Sequence, residues 1–206
     1  MYFHSYLCSH NSGFDLSKNP ITEKYRQHPV LKDITEGLEQ RGHIVLQGLT
    51  GSSRAVLSAV AASLTGGHHL FICAGKEAAA YFYNDLENLL GERDLDYHKK
   101  TVLFYPTSYK RPYEPEKPDS TYLLSRTEVL GRVSVSERKT IIVTYPEALS
   151  EKVVTRKVLS KNTLKIKAKE KVSFDFVTDV LHEYDFERVD FVVEPGQFSV
   201  RGGIRS

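Results

Sequence analysis

The chain has 206 residues, two cysteines, and 28 Lys and Arg against 26 Asp and Glu, for a formal charge of +2. That length holds one ordinary domain plus part of another and buries a sizeable core, while so small a net charge gives no argument for nucleic-acid binding from the total alone. Cys8 and Cys73 make no CxxC pair and no metal-ligand spacing, no apolar run approaches a membrane span, and residues 1–20 lack the basic start and apolar core of a signal peptide. A cytosolic protein is expected, with no cofactor and no metal.

In chain order, residues 1–20 show no clean period and read as a poorly ordered extension. Ile21 to Arg41 is helical in pattern, broken at Pro29, so that a short helix meets a second one over 30–40 that Gly42 closes as a C-cap. A βα alternation follows: strand 43–47, helix 53–65, strand 69–73, helix 75–90, strand 101–104, a Pro- and Tyr-rich loop, helix 119–132, strand 140–143 and a short helix from Pro146. Such alternation implies an α/β fold with a parallel sheet and helices on both faces. Near Glu151 the pattern changes to a smaller α+β unit. Residues 152–171 are Lys-rich and read as an exposed basic strand region, Ser173 caps a helix through Glu183, and strands 188–193 and 198–204 flank the turn Glu194-Pro195-Gly196-Gln197 as a hairpin. The expected domains are thus 21–151 and 152–206.

The stretch Gly48-Leu49-Thr50-Gly51-Ser52-Ser53-Arg54-Ala55 sits where a phosphate-binding loop belongs. A working loop reads G-x-x-x-x-G-K-[ST], with glycine amides around the phosphates, a lysine on the β and γ phosphates and a hydroxyl on magnesium. Here Ser53 replaces the second glycine, Arg54 the lysine and Ala55 the metal ligand, and arginine does not substitute for that lysine. Two readings stand at this point: a degenerate phosphate loop (Gly48, Thr50, Gly51, Ser52, Ser53, Arg54), or an ordinary strand-to-helix turn. In both, ATP hydrolysis is not expected, although free amides at a helix start still attract anions.

The tail Val192-Val193-Glu194-Pro195-Gly196-Gln197-Phe198-Ser199-Val200-Arg201-Gly202-Gly203-Ile204 resembles the E-x-G-[EQ]-[FY]-x-x-R-G segment of the bacterial transcription-repair coupling factor (Mfd), whose N-terminal module is shared with the excinuclease protein UvrB. The degenerate octet, the loop from Pro106 to Tyr113, Ser125-Arg126, Val143-Thr144-Tyr145-Pro146-Glu147-Ala148-Leu149 and Asp185-Phe186-Glu187-Arg188-Val189-Asp190 follow in the family's order, over about residues 25–204. The family resemblance implies a helicase-like degenerate P-loop domain followed by a smaller domain that binds the excinuclease protein UvrA. It implies partner-binding roles for Arg201, Gly202 and Phe198. The full-length family protein is an ATP-dependent DNA translocase that acts on RNA polymerase and double-stranded DNA; its translocase motifs are not in these residues. The chain ends at Arg205-Ser206 where the family continues with an apolar-acidic strand, which suggests a truncated second domain.

Three functions of different class remain. The first is a non-catalytic interaction module of a repair coupling factor that recruits UvrA. The second is a nucleotide-dependent enzyme of the UvrB or helicase type, against which Ser53, Arg54 and Ala55 speak. The third is a generic P-loop-like nucleic-acid binder. Lys165, Lys167 and Lys169 are candidates for nucleic-acid contact through counterion release, or else a solvated face. Tyr105, Tyr109 and Tyr113 read as cover for a sheet edge rather than as a base-stacking platform. His68-His69 read as solvated or edge histidines, and nothing in the chain supports hydrolytic catalysis.

Overall fold

A computed structural model of the chain describes residues 4–6, 16, 19–40, 42–109, 120–135, 139–161, 164, 166, 170–193 and 196–201. These fall into two compact units, Met1–Val153 and Val154–Ser206.

In the first unit, strand β1 (His4–Tyr6) precedes helices α1 (Pro20–Arg26) and α2 (Pro29–Glu39). Both helices open on proline, whose missing N–H falls where no intrahelical partner exists. Each also has a side-chain cap: Asn19 Oδ1 accepts from Ile21 N, and His28 Nδ1 from Val30 N. Gly42 N–H donates to Gly37 O at 2.9 Å, so Gly42 closes α2 from two positions beyond its C-cap Gln40 rather than as the cap itself. Gly37 allows the next segment to close on the helix, since a Cβ there would lie 2.8 Å from Ile44 Cδ1.

That segment departs from expectation, because 43–47 forms no strand. Ile44 and Leu46 pack against the core while His43, Val45 and Gln47 face solvent, Val45 at 77% exposure. The physical reason lies at the edge of β2 (His68–Ile72), which β1 occupies in antiparallel register, Ser5 opposite His69. The N-terminal stretch expected to lack order therefore supplies an edge strand, and Leu16 is buried and accepts a hydrogen bond from Thr22 Oγ1 at 2.9 Å.

Helix α3 (Ser53–Leu64) has nine successive buried residues, Ala55 to Ser63. A helix apolar on every side is stable only when covered all round, and its alanines let α1, α2 and α4 (Lys76–Leu90) approach closely. Strand β3 (Val102–Phe104), helix α5 (Ser120–Val135), strand β4 (Ile141–Thr144) and helix α6 (Pro146–Ser150) complete the unit. The sheet order is β1-β2-β4-β3. β4 runs parallel to both neighbours, with Ile141 level with His69 on one side and Val102 on the other, and all four of its residues are buried. Helical crossovers through α4 and α5 make that parallel pairing possible. The result is a mixed α/β unit with a small, mostly parallel sheet.

The outer edge of β3 is held by acids and bases from α4 and the turn that follows it. Gly91 takes the left-handed conformation (φ 65°) that ends α4. The chain then places the buried Glu92 carboxylate on Thr101 N at 2.7 Å and Val102 N at 3.0 Å, with the Thr101 hydroxyl donating to its other oxygen. Beside it, Glu87 meets Lys100 Nζ at 2.5 Å and accepts from Tyr83 Oη at 2.5 Å. Arg132 of α5 donates to the carbonyls of His98 and Lys100.

In the second unit the helices are α7 (Arg156–Lys161) and α8 (Phe174–Glu183), and the strands β5 (Glu187–Arg188) and β6 (Gln197–Phe198). Two expectations are corrected here and a third holds in part. Among its described residues the basic region forms no strand: its start is the helix α7, and Leu164 and Ile166 are exposed and outside any strand. Ser173 occupies the N-cap of α8 but makes no side-chain capping bond.

The hairpin is replaced by a parallel pair, Glu187 opposite Gln197 and Arg188 opposite Phe198. Glu187 N donates to Gly196 O and Val189 N to Phe198 O. The Val193 N–H that a hairpin would pair across the turn goes instead to Gln197 Oε1 at 3.1 Å. Gly196, at φ 90°, lets the chain re-enter on the same side. No described side chain of this unit is buried.

Two outcomes are expected of the first unit. Glu92→Ala should lower the unfolding free energy in urea by about 2–4 kcal/mol, because the amides of Thr101 and Val102 at the start of β3 lose their acceptor. Lys32→Ala, which removes an exposed pair with Glu36, should change it by less than about 0.5 kcal/mol.

His69 is 3% exposed, and burial, aided by the charges of Lys139 and His68, lowers its pKa to about 4. The unfolded imidazole takes its proton near pH 6.5, the folded one only near 4, so stability should fall as pH drops between those values, by on the order of 3 kcal/mol. His69→Gln should remove that part of the slope in a plot of melting temperature against pH.

Candidate functional site

The glycine octet begins after an unpaired segment and ends inside α3. Gly48 (φ 78°) and Gly51 (φ 53°) both adopt the left-handed conformation that disfavours any side chain, so the two glycines are required by the turn itself. Ser53 N and Ser53 Oγ both donate to Thr50 O, at 3.2 and 2.6 Å. Ser52 is the N-cap of α3 and uses no side-chain oxygen for it. The hydroxyl of Ser53 is thus committed to the local turn. The strand-turn-helix frame expected around this loop is incomplete, because its strand is absent.

The turn opens on a crevice of about 770 Å³ at the carboxyl end of β2 and β4, the end of a parallel sheet where α/β proteins place their ligands. Gly51, Ser52 and Arg54 form one wall, Ile72, Cys73 and Pro146 the floor, and Tyr81, Phe82 and Asp85 of α4 the other wall. Arg54 offers the crevice a cation and Asp85 an anion. Burial pushes the Cys73 thiol pKa up, and the Arg54 guanidinium only partly offsets it, so Cys73 stays a protonated thiol at neutral pH. Tyr81, Asp85 and Cys73 carried no spacing signal in sequence; they meet here because α4 and β2 are neighbours in space.

The Pro- and Tyr-rich loop after β3 is pinned at its base. Arg126 of α5, buried, donates to Pro106 O at 2.7 Å and Ala148 O at 3.2 Å, pairs with Glu151 at 3.3 Å, and covers the Tyr105 ring with its guanidinium 4.4 Å from the centroid. Glu151 in turn accepts from Ser108 N and Oγ, and Tyr145 Oη from Thr107 N. Tyr105 is therefore a buried cover and not an open ring. Residues 110–119, Tyr113 among them, lie outside the described residues. His69 is buried on β2, between β1 and β4, which corrects its reading as a solvated or edge histidine; its Nε2 stands 3.4 Å from Thr65 Oγ1. Among the described residues, no cluster of three His, Cys, Asp or Glu side chains is placed to hold a metal ion.

In the second unit, Arg201 is exposed and its guanidinium lies 4.2 Å from the centroid of the Phe191 ring. It donates to Asp190 O at 3.1 Å, and Ser199 Oγ donates to the same carbonyl at 2.9 Å. Phe198 is half-buried, its ring meeting His182 of α8 edge-on at 5.2 Å, so it anchors β6 to the helix more than it presents an open face. Gly202 lies outside the described residues, as do Lys165, Lys167 and Lys169. The structure thus brings Arg201 together with Phe191, a partner that sequence spacing did not indicate, while Phe198 stands on the helix side of the strand.

No protein-family model matches the chain. It is 27% identical to the transcription-repair-coupling factor of Bacillus subtilis over 175 residues, 85% of this chain and 14% of that protein. It is 27% identical to the transcription-repair-coupling factor of Rickettsia bellii over 105 residues, 51% of this chain and 9% of that protein. Its identity to UvrABC system protein B of Methanosarcina acetivorans is 24% over 184 residues, 87% of this chain and 28% of that protein. The chain therefore spans between about a tenth and about a quarter of the length of these relatives. Shared similarity to both kinds of protein over most of its length makes the chain a homologue of transcription-repair-coupling factor and of UvrB, matching a UvrB-like region of the former.

Proposed function

We propose that this chain serves nucleotide excision repair coupled to transcription as a non-catalytic interaction module that engages UvrA. The observation that carries the reading is the exposed Arg201, three residues beyond β6 and tied to Asp190 O, in a chain homologous to both a transcription-repair-coupling factor and the B protein of the UvrABC system. A guanidinium that is exposed, oriented and free of any carboxylate partner among the described residues has the character of an interface hot spot.

The first unit then acts as a scaffold with a helicase-like ancestry. Its octet keeps the two glycines that the turn needs and lacks the lysine and the magnesium-binding hydroxyl that nucleotide chemistry needs. Arg54 at the crevice offers a cation but no second phosphate ligand. The enzymatic alternative, a nucleotide-dependent protein of the UvrB or helicase type, has the crevice position in its favour and the donor set against it. In a longer protein carrying translocase motifs, RNA polymerase and double-stranded DNA would be handled by other parts of the chain.

Arg201→Ala is expected to weaken UvrA binding by about tenfold or more with the far-ultraviolet circular dichroism unchanged, in an isothermal or fluorescence titration with purified UvrA. Unchanged affinity would remove the assignment.

A further inference from the structure

We propose that Phe191 is a positioning residue for Arg201, and that the pair, with Val192 and Val193, forms a preorganised docking surface for a partner segment bearing a carboxylate flanked by apolar side chains. This deepens the UvrA reading above and rests on it.

Three consecutive apolar side chains keep most of their surface in water: Phe191 is 71% exposed, Val192 56% and Val193 82%. Scattered apolar residues on a surface are ordinary, but a contiguous group beside a charged residue marks a contact site. Asp190, Phe191, Val192, Ser199 and Arg201 together line a shallow depression of about 450 Å³.

Arg201 lies across this depression in a fixed pose. Its guanidinium stacks on the Phe191 face at 4.2 Å, and one nitrogen is tied to Asp190 O. The carbonyl is itself held by Ser199 Oγ, and the backbone at Val193 is tied to the Gln197 side chain. An exposed arginine ordinarily loses rotamer freedom when a partner captures it; here the ring and the carbonyl have already restricted it, so less entropy is lost on binding. No carboxylate among the described residues neutralises the guanidinium, and its remaining N–H donors form the fork that a carboxylate accepts from. Charge complementarity therefore selects an acidic group, and the neighbouring valines select apolar ones on either side of it.

The test is a double-mutant cycle on UvrA binding, with wild type, Phe191→Ala, Phe191→Tyr, Arg201→Ala, the double variant Phe191→Ala with Arg201→Ala, and Val193→Asp. Phe191 is too exposed for its loss to unfold the unit. Phe191→Ala is expected to weaken binding about three- to fivefold, Phe191→Tyr to restore it, and the double variant to bind no more weakly than Arg201→Ala alone, the non-additivity of a residue acting through its neighbour. Val193→Asp is expected to weaken binding at least about fivefold by placing an anion against the acidic partner.

If Arg201→Ala leaves UvrA affinity unchanged, the underlying UvrA reading fails. If Arg201→Ala weakens binding while Phe191→Ala does not, or if the two effects add in full, the positioning role is overturned and the UvrA reading stands. Loss of duplex DNA binding in Arg201→Ala with UvrA affinity intact would assign the surface to phosphate and overturn both.

Discussion

The first unit depends on a single constraint: strand β4 is buried on both faces and hydrogen-bonded on both edges. Ile141, Ile142, Val143 and Thr144 have no solvent-facing side, so β2 and β3 must flank it, and their parallel register with it requires the two helical crossovers. The crossovers in turn set α4 against α3, which bury each other's small and apolar residues, and Phe71 of β2 meets Phe82 of α4 at 5.4 Å between centroids. The carboxyl ends of β2 and β4 then lie together, and the crevice beside the glycine turn is the geometric consequence.

The polar clamps follow from the same constraint. β3 lies at the sheet edge, and Glu92 satisfies the amides of Thr101 and Val102 at its start from the turn after α4. At the other end of β3, Arg126 collects the carbonyls of Pro106 and Ala148 and the carboxylate of Glu151. Breaking one partner of such a buried group leaves a desolvated charge, which is why these sites carry more stability than the exposed ion pairs of α1 and α2. The second unit has no comparable centre among its described residues. Several of its apolar side chains, Phe174, Phe176, Phe191 and Val193 among them, remain exposed, and its order comes from short backbone pairing, side-chain hydrogen bonds and half-buried contacts such as Phe198 on His182.

Much of the first unit was legible in the chain because local signals agreed with tertiary ones. The alanine-rich run from 53, the apolar run Ile141–Val143 and the prolines at 20, 29 and 146 all fall in or at the start of elements of the expected type. The segment 43–47 was misread because its apolar residues speak for burial and not for pairing; Ile44 closes on Gly37 of α2 and Leu46 packs against the core, and the ladder position went to β1, whose sequence has no strand period. The hairpin failed for a related reason: Gly196 signals a turn, but nothing in the residue order shows that the Gln197 side chain captures the Val193 amide. Of the candidate sites, the glycines and Arg201 were visible as motifs, whereas Phe191, Tyr81 and Asp85 became partners only through long-range or loop geometry.

We propose that the glycine turn, in which Gly48 and Gly51 both take positive φ, serves as architecture without nucleotide chemistry. The most direct measurement is the melting temperature of the protein with and without millimolar ATP and magnesium, since any ligand that binds only the native state raises it by mass action. No saturable shift is predicted. A rise that grows with ATP concentration and requires magnesium would contradict the claim.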